Sequence, residues 1–178
     1  VEHPAGKVIG AEALIRWNHP SFGLIAPPII IAIAEDGDLI DQIGLWVLKE
    51  AVAERKRWLD AGIDEVQMSI NLSVRQLDDK LLPQKVLKII RDYEVPIRLI
   101  ELEVTESAAL NQENQDNIVL SRIHDLGIRI AIDDFGMGHS SLLYLKHFPV
   151  STLKLDRVLS KDVVHSKVSF EIITSIVD

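Results

Sequence analysis

Apolar and polar positions along this chain follow two rhythms that take turns. Short β-branched runs predict strands over Lys7–Trp17, Val66–Asn71, Leu99–Val104, Ile128–Ile132 and Thr152–Asp156. Apolar residues recurring every three or four positions predict helices over Leu39–Ala61, Leu82–Tyr93 and Asn114–Leu126. A short apolar helical piece spans Ser140–Phe148, and another helix starts over Val168–Val177. In the first long helix the stripe is Ile40, Ile43, Val47 and Ala51, with Trp46 and Trp58 beside it. Both tryptophans are therefore expected in the core rather than stacked on a ligand. Gly62 and Gly127 are natural helix stops, and Pro83 sits in a first turn, where a missing amide proton costs little. The segment 18–23 is a turn-rich loop, in which His19 is a loop histidine, and Pro27-Pro28 punctuates again.

Strands alternating with helices across short connections are the pattern of parallel βαβ units. Five strands suit an open doubly wound sheet or part of a closed (β/α)8 barrel. No Gly-x-Gly-x-x-Gly follows the first strand and no Walker-type lysine loop occurs, which lowers the nucleotide-binding doubly wound reading. No internal repeat or low-complexity segment interrupts the alternation.

Polar residues at the strand ends sharpen the choice. Glu12 and Arg16, Asn71, Glu103 with Glu106, Asp133 with Asp134, and Lys154 all lie on or just past strands. Each has an ordinary explanation alone. Glu12 could be a solvated face, and Asp133-Asp134 could cap a turn or helix. Lys154 could be half of a structural ion pair. Together, five successive strands deliver such groups to one end, where barrel enzymes place their chemistry. The period of two puts Glu101 and Glu103 on one face of their strand, and Lys154 and Asp156 on one face of theirs. Hard oxygen donors without cysteine suit magnesium, manganese or calcium, and an adjacent acid pair can bridge two ions for phosphodiester cleavage. A lysine among them could orient or activate water.

Composition removes other classes. The 178 residues are 47% apolar and 26% charged, with a formal net charge of -8 and no cysteine. Non-specific binding to a nucleic acid polymer or an anionic membrane needs basic patches this balance does not supply. Disulfides, thiolate-bound zinc and cysteine nucleophiles are excluded. No apolar run reaches the roughly 18 residues of a membrane span. The start, Val1-Glu2-His3-Pro4, carries no initiator methionine and no signal-peptide pattern, as expected of a piece of a longer protein.

Five motifs now stand in order. Glu12-Ala13-Leu14-Ile15-Arg16-Trp17 resembles the signature of the EAL domain, the bacterial cyclic di-GMP phosphodiesterase. Asn71-Leu72-Ser73, Glu103-Val104-Thr105-Glu106, Asp133-Asp134-Phe135-Gly136 and Lys154-Leu155-Asp156-Arg157 resemble that family's later motifs. The resemblance implies an α/β fold, an incomplete TIM-like (β/α)8 barrel of the EAL type, with residues 1–178 forming one partial domain. It implies metal-dependent opening of cyclic di-GMP to linear pGpG by the parent domain, the alternative being a non-catalytic cyclic di-GMP receptor. Glu12, Asn71, Glu103, Asp133 and Asp134 would be metal ligands in a two-metal Mg2+ or Mn2+ site, with Ca2+ inhibitory. Lys154 would hold or activate the water, Arg16 would contact a ligand phosphate, and Glu106 would steady the Asp-Asp-Phe-Gly loop. That loop would couple to a homodimer interface, and the parent could carry sensor or cyclase domains. A cytoplasmic location is expected, in some parents as the cytoplasmic part of a membrane-anchored protein. Met137 and His139 replace the family's usual Thr and Tyr, a change expected to tune the loop. A barrel of this type takes roughly 250 residues. The 178-residue piece is therefore expected to be open and to have little or no activity alone.

Overall fold

The structure, a computed structural model, describes residues 6–110, 117–136 and 150–157, and the single positions 161, 166 and 174. Five parallel strands form one sheet in the order β1 (Gly10–Ala13), β4 (Gln67–Asn71), β5 (Ile100–Thr105), β6 (Arg129–Phe135) and β7 (Thr152–Leu155). A separate two-stranded antiparallel hairpin, β2 (Trp17–His19) and β3 (Gly23–Ile25), follows β1. The helices are α1 (Pro27–Asp36), α2 (Ile40–Asp60), α3 (Leu82–Asp92), α4 (Glu106–Leu110) and α5 (Asn117–Asp125). The parallel sheet forms a half-barrel, an α/β arrangement that is an incomplete TIM-like barrel. Sequential strands lie side by side from β4 to β7, as helical crossovers between parallel strands require.

The core explains the hydrophobic pattern. Ile100, Leu102 and Val104 of β5 and Ile130 and Ile132 of β6 are buried. They pack with Leu48 and Val52 of α2, Val86 and Ile90 of α3, and Val119, Leu120 and Ile123 of α5. The opposite face of β5, carrying Glu101 and Glu103, is buried too. Strands covered on both faces are the mark of parallel α/β folds.

Several expectations are corrected at the element level. The first strand is short, Gly10–Ala13 rather than Lys7–Trp17, because the chain turns and re-enters β structure as the hairpin. The loop 18–23 is that hairpin's turn, which His19 organises by accepting from the Ser21 and Phe22 amides through Nδ1. The Pro27-Pro28 punctuation opens α1, since proline is at home in a first helical turn. Trp46 is 53% exposed and lies outside the core, whereas Trp58 packs against it. Glu106 begins a short helix, α4, that the sequence pattern did not signal. Both β5 and β6 run further than expected, to Thr105 and Phe135. The expected helices over Ser140–Phe148 and Val168–Val177 lie outside the described residues.

Candidate active site

The site lies at the carboxyl ends of the parallel strands. The ladder sets neighbouring strands level: Glu12 pairs with Ser69, Asn71 with Glu103, Glu103 with Ala131, and Thr105 with Asp133. Side chains from β1, β4 and β5 therefore meet at the top of the sheet. Asn71 Nδ2 donates to Glu12 Oε1 at 2.6 Å, tying β4 to β1. Both residues are exposed and open to a ligand.

Glu103 is the buried centre. Its side chain has no solvent exposure, and Oε1 accepts from Lys154 Nζ. Oε2 is buried and has no hydrogen-bond partner among the described residues. A buried acceptor left open is costly unless something completes it. Burial pushes the Glu103 carboxyl above its ordinary value, while the Lys154 ammonium pulls the other way. Burial alone would lower the Lys154 ammonium. The Glu103 carboxylate, with Glu12 and Asp133 further off, more than offsets this and holds Lys154 above its ordinary value. Lys154 thus stands as a cation against the buried Glu103 carboxylate, at the edge of the row of acids.

The adjacent acids have a specific geometry. In a regular strand Asp133 and Asp134 would point to opposite faces. Here Ile132 pairs with Leu153 and Phe135 with Leu155, so two β6 residues face the single Lys154 of β7. This β-bulge falls on the acid pair and re-aims it. Asp134 takes a left-handed backbone, φ 54°, which aspartate tolerates better than most residues. Partial burial pushes its carboxyl above the ordinary value, and the charges of Asp133, Asp156 and Glu12 push the same way. Asp156, not among the expected site residues, thus belongs to its electrostatic field. Its signal was present in the period of two that pairs it with Lys154.

Glu106 is buried, and Oε2 accepts from the Gly136 amide at 2.8 Å, joining the start of α4 to the turn just past the acid pair. Arg16 stands apart from the acids. It is exposed, and its guanidinium donates to the adjacent Ile15 carbonyl at 2.8 Å. Met137 and His139 lie outside the described residues.

The donor set fits a divalent cation. It offers carboxylates, one amide oxygen and a buried carboxylate oxygen awaiting a positive partner. Among the described residues no three acidic or histidine side chains converge as a ready-made cage. Lys154 and Asn71 instead hold the Glu103 and Glu12 carboxylates that a metal would share.

An acid-lined half-barrel with its chemistry at the carboxyl ends of parallel strands defines the class. The EAL domain model matches residues 1–178. The bifunctional diguanylate cyclase/cyclic di-GMP phosphodiesterase MucR of Pseudomonas aeruginosa is 40% identical over 174 residues, which is 98% of this chain and 25% of that protein. The cyclic di-GMP phosphodiesterase PdeR of Escherichia coli is 34% identical over 172 residues, covering 97% of this chain and 26% of its own. Among solved structures, the PaMucR phosphodiesterase in complex with c-di-GMP superposes with a TM-score of 0.88 at 40% identity, over 98% of this chain and 70% of that one. The FimX EAL domain from Pseudomonas aeruginosa, 20% identical with a TM-score of 0.82 over 94% of this chain and 66% of that one, shares the fold. The chain belongs to the EAL domain family. It spans about a quarter of the length of these curated relatives.

Proposed function

We propose that the protein containing this chain is a divalent-metal-dependent phosphodiesterase that hydrolyses cyclic di-GMP to linear pGpG. The observation that carries the reading is the buried Glu103, one oxygen on Lys154 and the other open, at the head of a row of acids. Glu12, Asn71, Glu103, Asp133 and Asp134 would hold Mg2+ or Mn2+. Bound there, the metal supplies a nucleophile at neutral pH and neutralises charge building on the phosphate. The chain's own residues do the rest. Lys154, hydrogen-bonded to Glu103, would hold or activate the attacking water. Arg16, which is exposed, would offer a planar guanidinium to a ligand phosphate. Glu106 pins the turn after Asp134, keeping the acid pair in its bulged conformation. A homodimer through the Asp-Asp-Phe-Gly loop region, fused sensor or cyclase domains and a cytoplasmic setting belong to the same reading. No described helix is long and apolar enough to cross a membrane.

The test is conversion of cyclic di-GMP to pGpG by the full-length protein with Mg2+ or Mn2+. Activity is expected with either ion, loss with Ca2+, and loss in Glu12→Ala. A second reading, a cyclic di-GMP receptor, is favoured by the absence of a ready-made three-carboxylate cage among the described residues. Calorimetric binding of cyclic di-GMP without metal-dependent turnover would establish it.

A further inference from the structure

One layer below the site lies a buried charge that the chemistry above does not use. Glu101 of β5 is 3% exposed. Its Oε1 accepts from Ser69 Oγ of β4 at 2.9 Å. Its Oε2 accepts from Thr152 Oγ1 of β7 at 2.7 Å and lies 3.5 Å from Arg129 Nε of β6. Arg129 Nη2 also donates to Thr152 Oγ1 at 3.3 Å. One carboxylate thus fastens four consecutive strands. Ser69, Glu101 and Arg129 are direct register partners, so the clamp runs straight across the sheet.

Its place is what suggests a role. Ser69, Glu101 and Thr152 each stand two positions before a site residue: Asn71, Glu103 and Lys154. Arg129 stands four before Asp133. The period of two puts every clamp residue on the same face as the site residue above it. Stability alone does not explain such a network, since apolar residues of similar volume commonly serve a core as well or better than buried ions. What a clamp adds is position. A one-residue slip of β7 would carry Lys154 to the other face and away from Glu103.

We propose that Glu101 is a positioning residue for the metal site, setting β4, β5, β6 and β7 so that Asn71, Glu103, Asp133 and Lys154 stand level. The inference rests on the phosphodiesterase reading. Supporting contacts beneath metal ligands typically change metal affinity or activity by about 10- to 100-fold when removed.

The experiment uses the full-length protein as wild type and as Glu101→Gln, Glu101→Ala and Thr152→Val. Mn2+ binding is followed by the loss of the free-ion electron paramagnetic resonance signal, alongside thermal melting and cyclic di-GMP kinetics. Glu101→Ala is expected to weaken Mn2+ binding about tenfold or more and to lower kcat with little change in KM. Glu101→Gln, which keeps one acceptor oxygen, and Thr152→Val, which loses one donor, should fall between. Should Glu101→Ala fail to fold, Thr152→Val decides. Melting temperatures that fall while the Mn2+ midpoint and kcat stay at wild-type values overturn the inference and leave the functional reading standing. A wild-type protein that neither binds Mn2+ nor turns over cyclic di-GMP overturns both.

Discussion

Asp134 shows what one residue does here that its neighbours in sequence do not announce. Adjacent acids were legible in the sequence, but not how both could serve one site. The bulge opposite Lys154 answers that, and a bulge has no composition signature when it falls on Asp rather than Gly. Its cost is a left-handed backbone at φ 54° in a residue with a Cβ. Glycine accepts that conformation freely. Asp134→Gly should therefore raise unfolding free energy by about 1 kcal/mol in urea melts, more than Asp134→Ala, while weakening metal binding. An alanine variant as stable as the glycine variant would place the strain elsewhere. Lys154 gives a second prediction. Replacing it with Met strips the buried Glu103 carboxylate of its charged partner. Breaking such a pair costs about 3 kcal/mol. Mn2+ should restore part of that loss, so the metal-induced rise in melting temperature is expected to be larger in Lys154→Met than in wild type. An equal rise would show that Glu103 does not meet the metal.

Among the elements, the loop after β4 carries more than Asn71. Ser73 and Gln76 form a reciprocal cap on the 3-10 turn Val74–Asp78: the Ser73 amide donates to Gln76 Oε1 at 3.1 Å, and Ser73 Oγ accepts from the Arg75 amide. Ser73 Oγ also donates to Glu35 Oε1 of α1 at 2.6 Å, and Arg75 donates to the Glu35 carbonyl. The polar letters of this motif thus dock α1 and α2 onto the loop. Gln76 fits because Gly44 of α2 has no side chain, since a Cβ there would stand 2.0 Å from Gln76 Nε2. The sequence could not show this pairing, because the two residues meet only through tertiary packing. A Gly-to-Ala change inside a helix normally gains about 1 kcal/mol. Here the new methyl must displace the Gln76 amide from its cap, costing about 1 kcal/mol in return. Gly44→Ala is therefore expected to be neutral or destabilising in wild type but stabilising by about 1 kcal/mol in a Gln76→Ala background. Equal effects in both backgrounds would remove the contact from consideration. At the start of α3 a further ion pair supplies the pH handle. Asp79 accepts from Lys85 Nζ at 2.6 Å and from the Leu81 amide at 2.9 Å, which hold its carboxyl below the ordinary value. A depressed carboxyl adds stability that is complete above its unfolded value, about pH 4, and is lost as pH falls through its lower folded value. The stability gap between wild type and Asp79→Asn should hold from pH 7 to about 5 and close on acidification toward pH 2. A gap that widens with acid would reverse the sign.

For the whole molecule, the alternation of strands and helices was readable because each period is set by local geometry. The half-barrel's strand order followed from the parallel crossovers. What pattern could not supply was where the apolar surface ends. Val8 at 52%, Phe22 at 76% and Leu24 at 64% exposure lie along β1 and its hairpin, with Leu14 and Trp17 exposed between them. In the described sheet β1 is hydrogen-bonded to β4 alone, so its outer edge presents a row of unused backbone donors and acceptors beside that surface. The PaMucR structure, of which this chain covers 70%, is longer, and a closed barrel of this kind takes roughly 250 residues. An open edge with apolar flanks is a template for another strand. Expressed alone, residues 1–178 should therefore associate in a concentration-dependent way in sedimentation velocity runs. A lysine at Val8 should weaken that association, since edge lysines oppose strand pairing. The same piece should hydrolyse cyclic di-GMP far more slowly than the full-length protein at saturating Mn2+, because an unclosed sheet leaves Glu12 on an unsupported edge strand. A monomer that turns over at the full-length rate would mean that β1 needs no neighbour to hold its end of the site, and that the Asn71–Glu12 bond alone fixes that carboxylate.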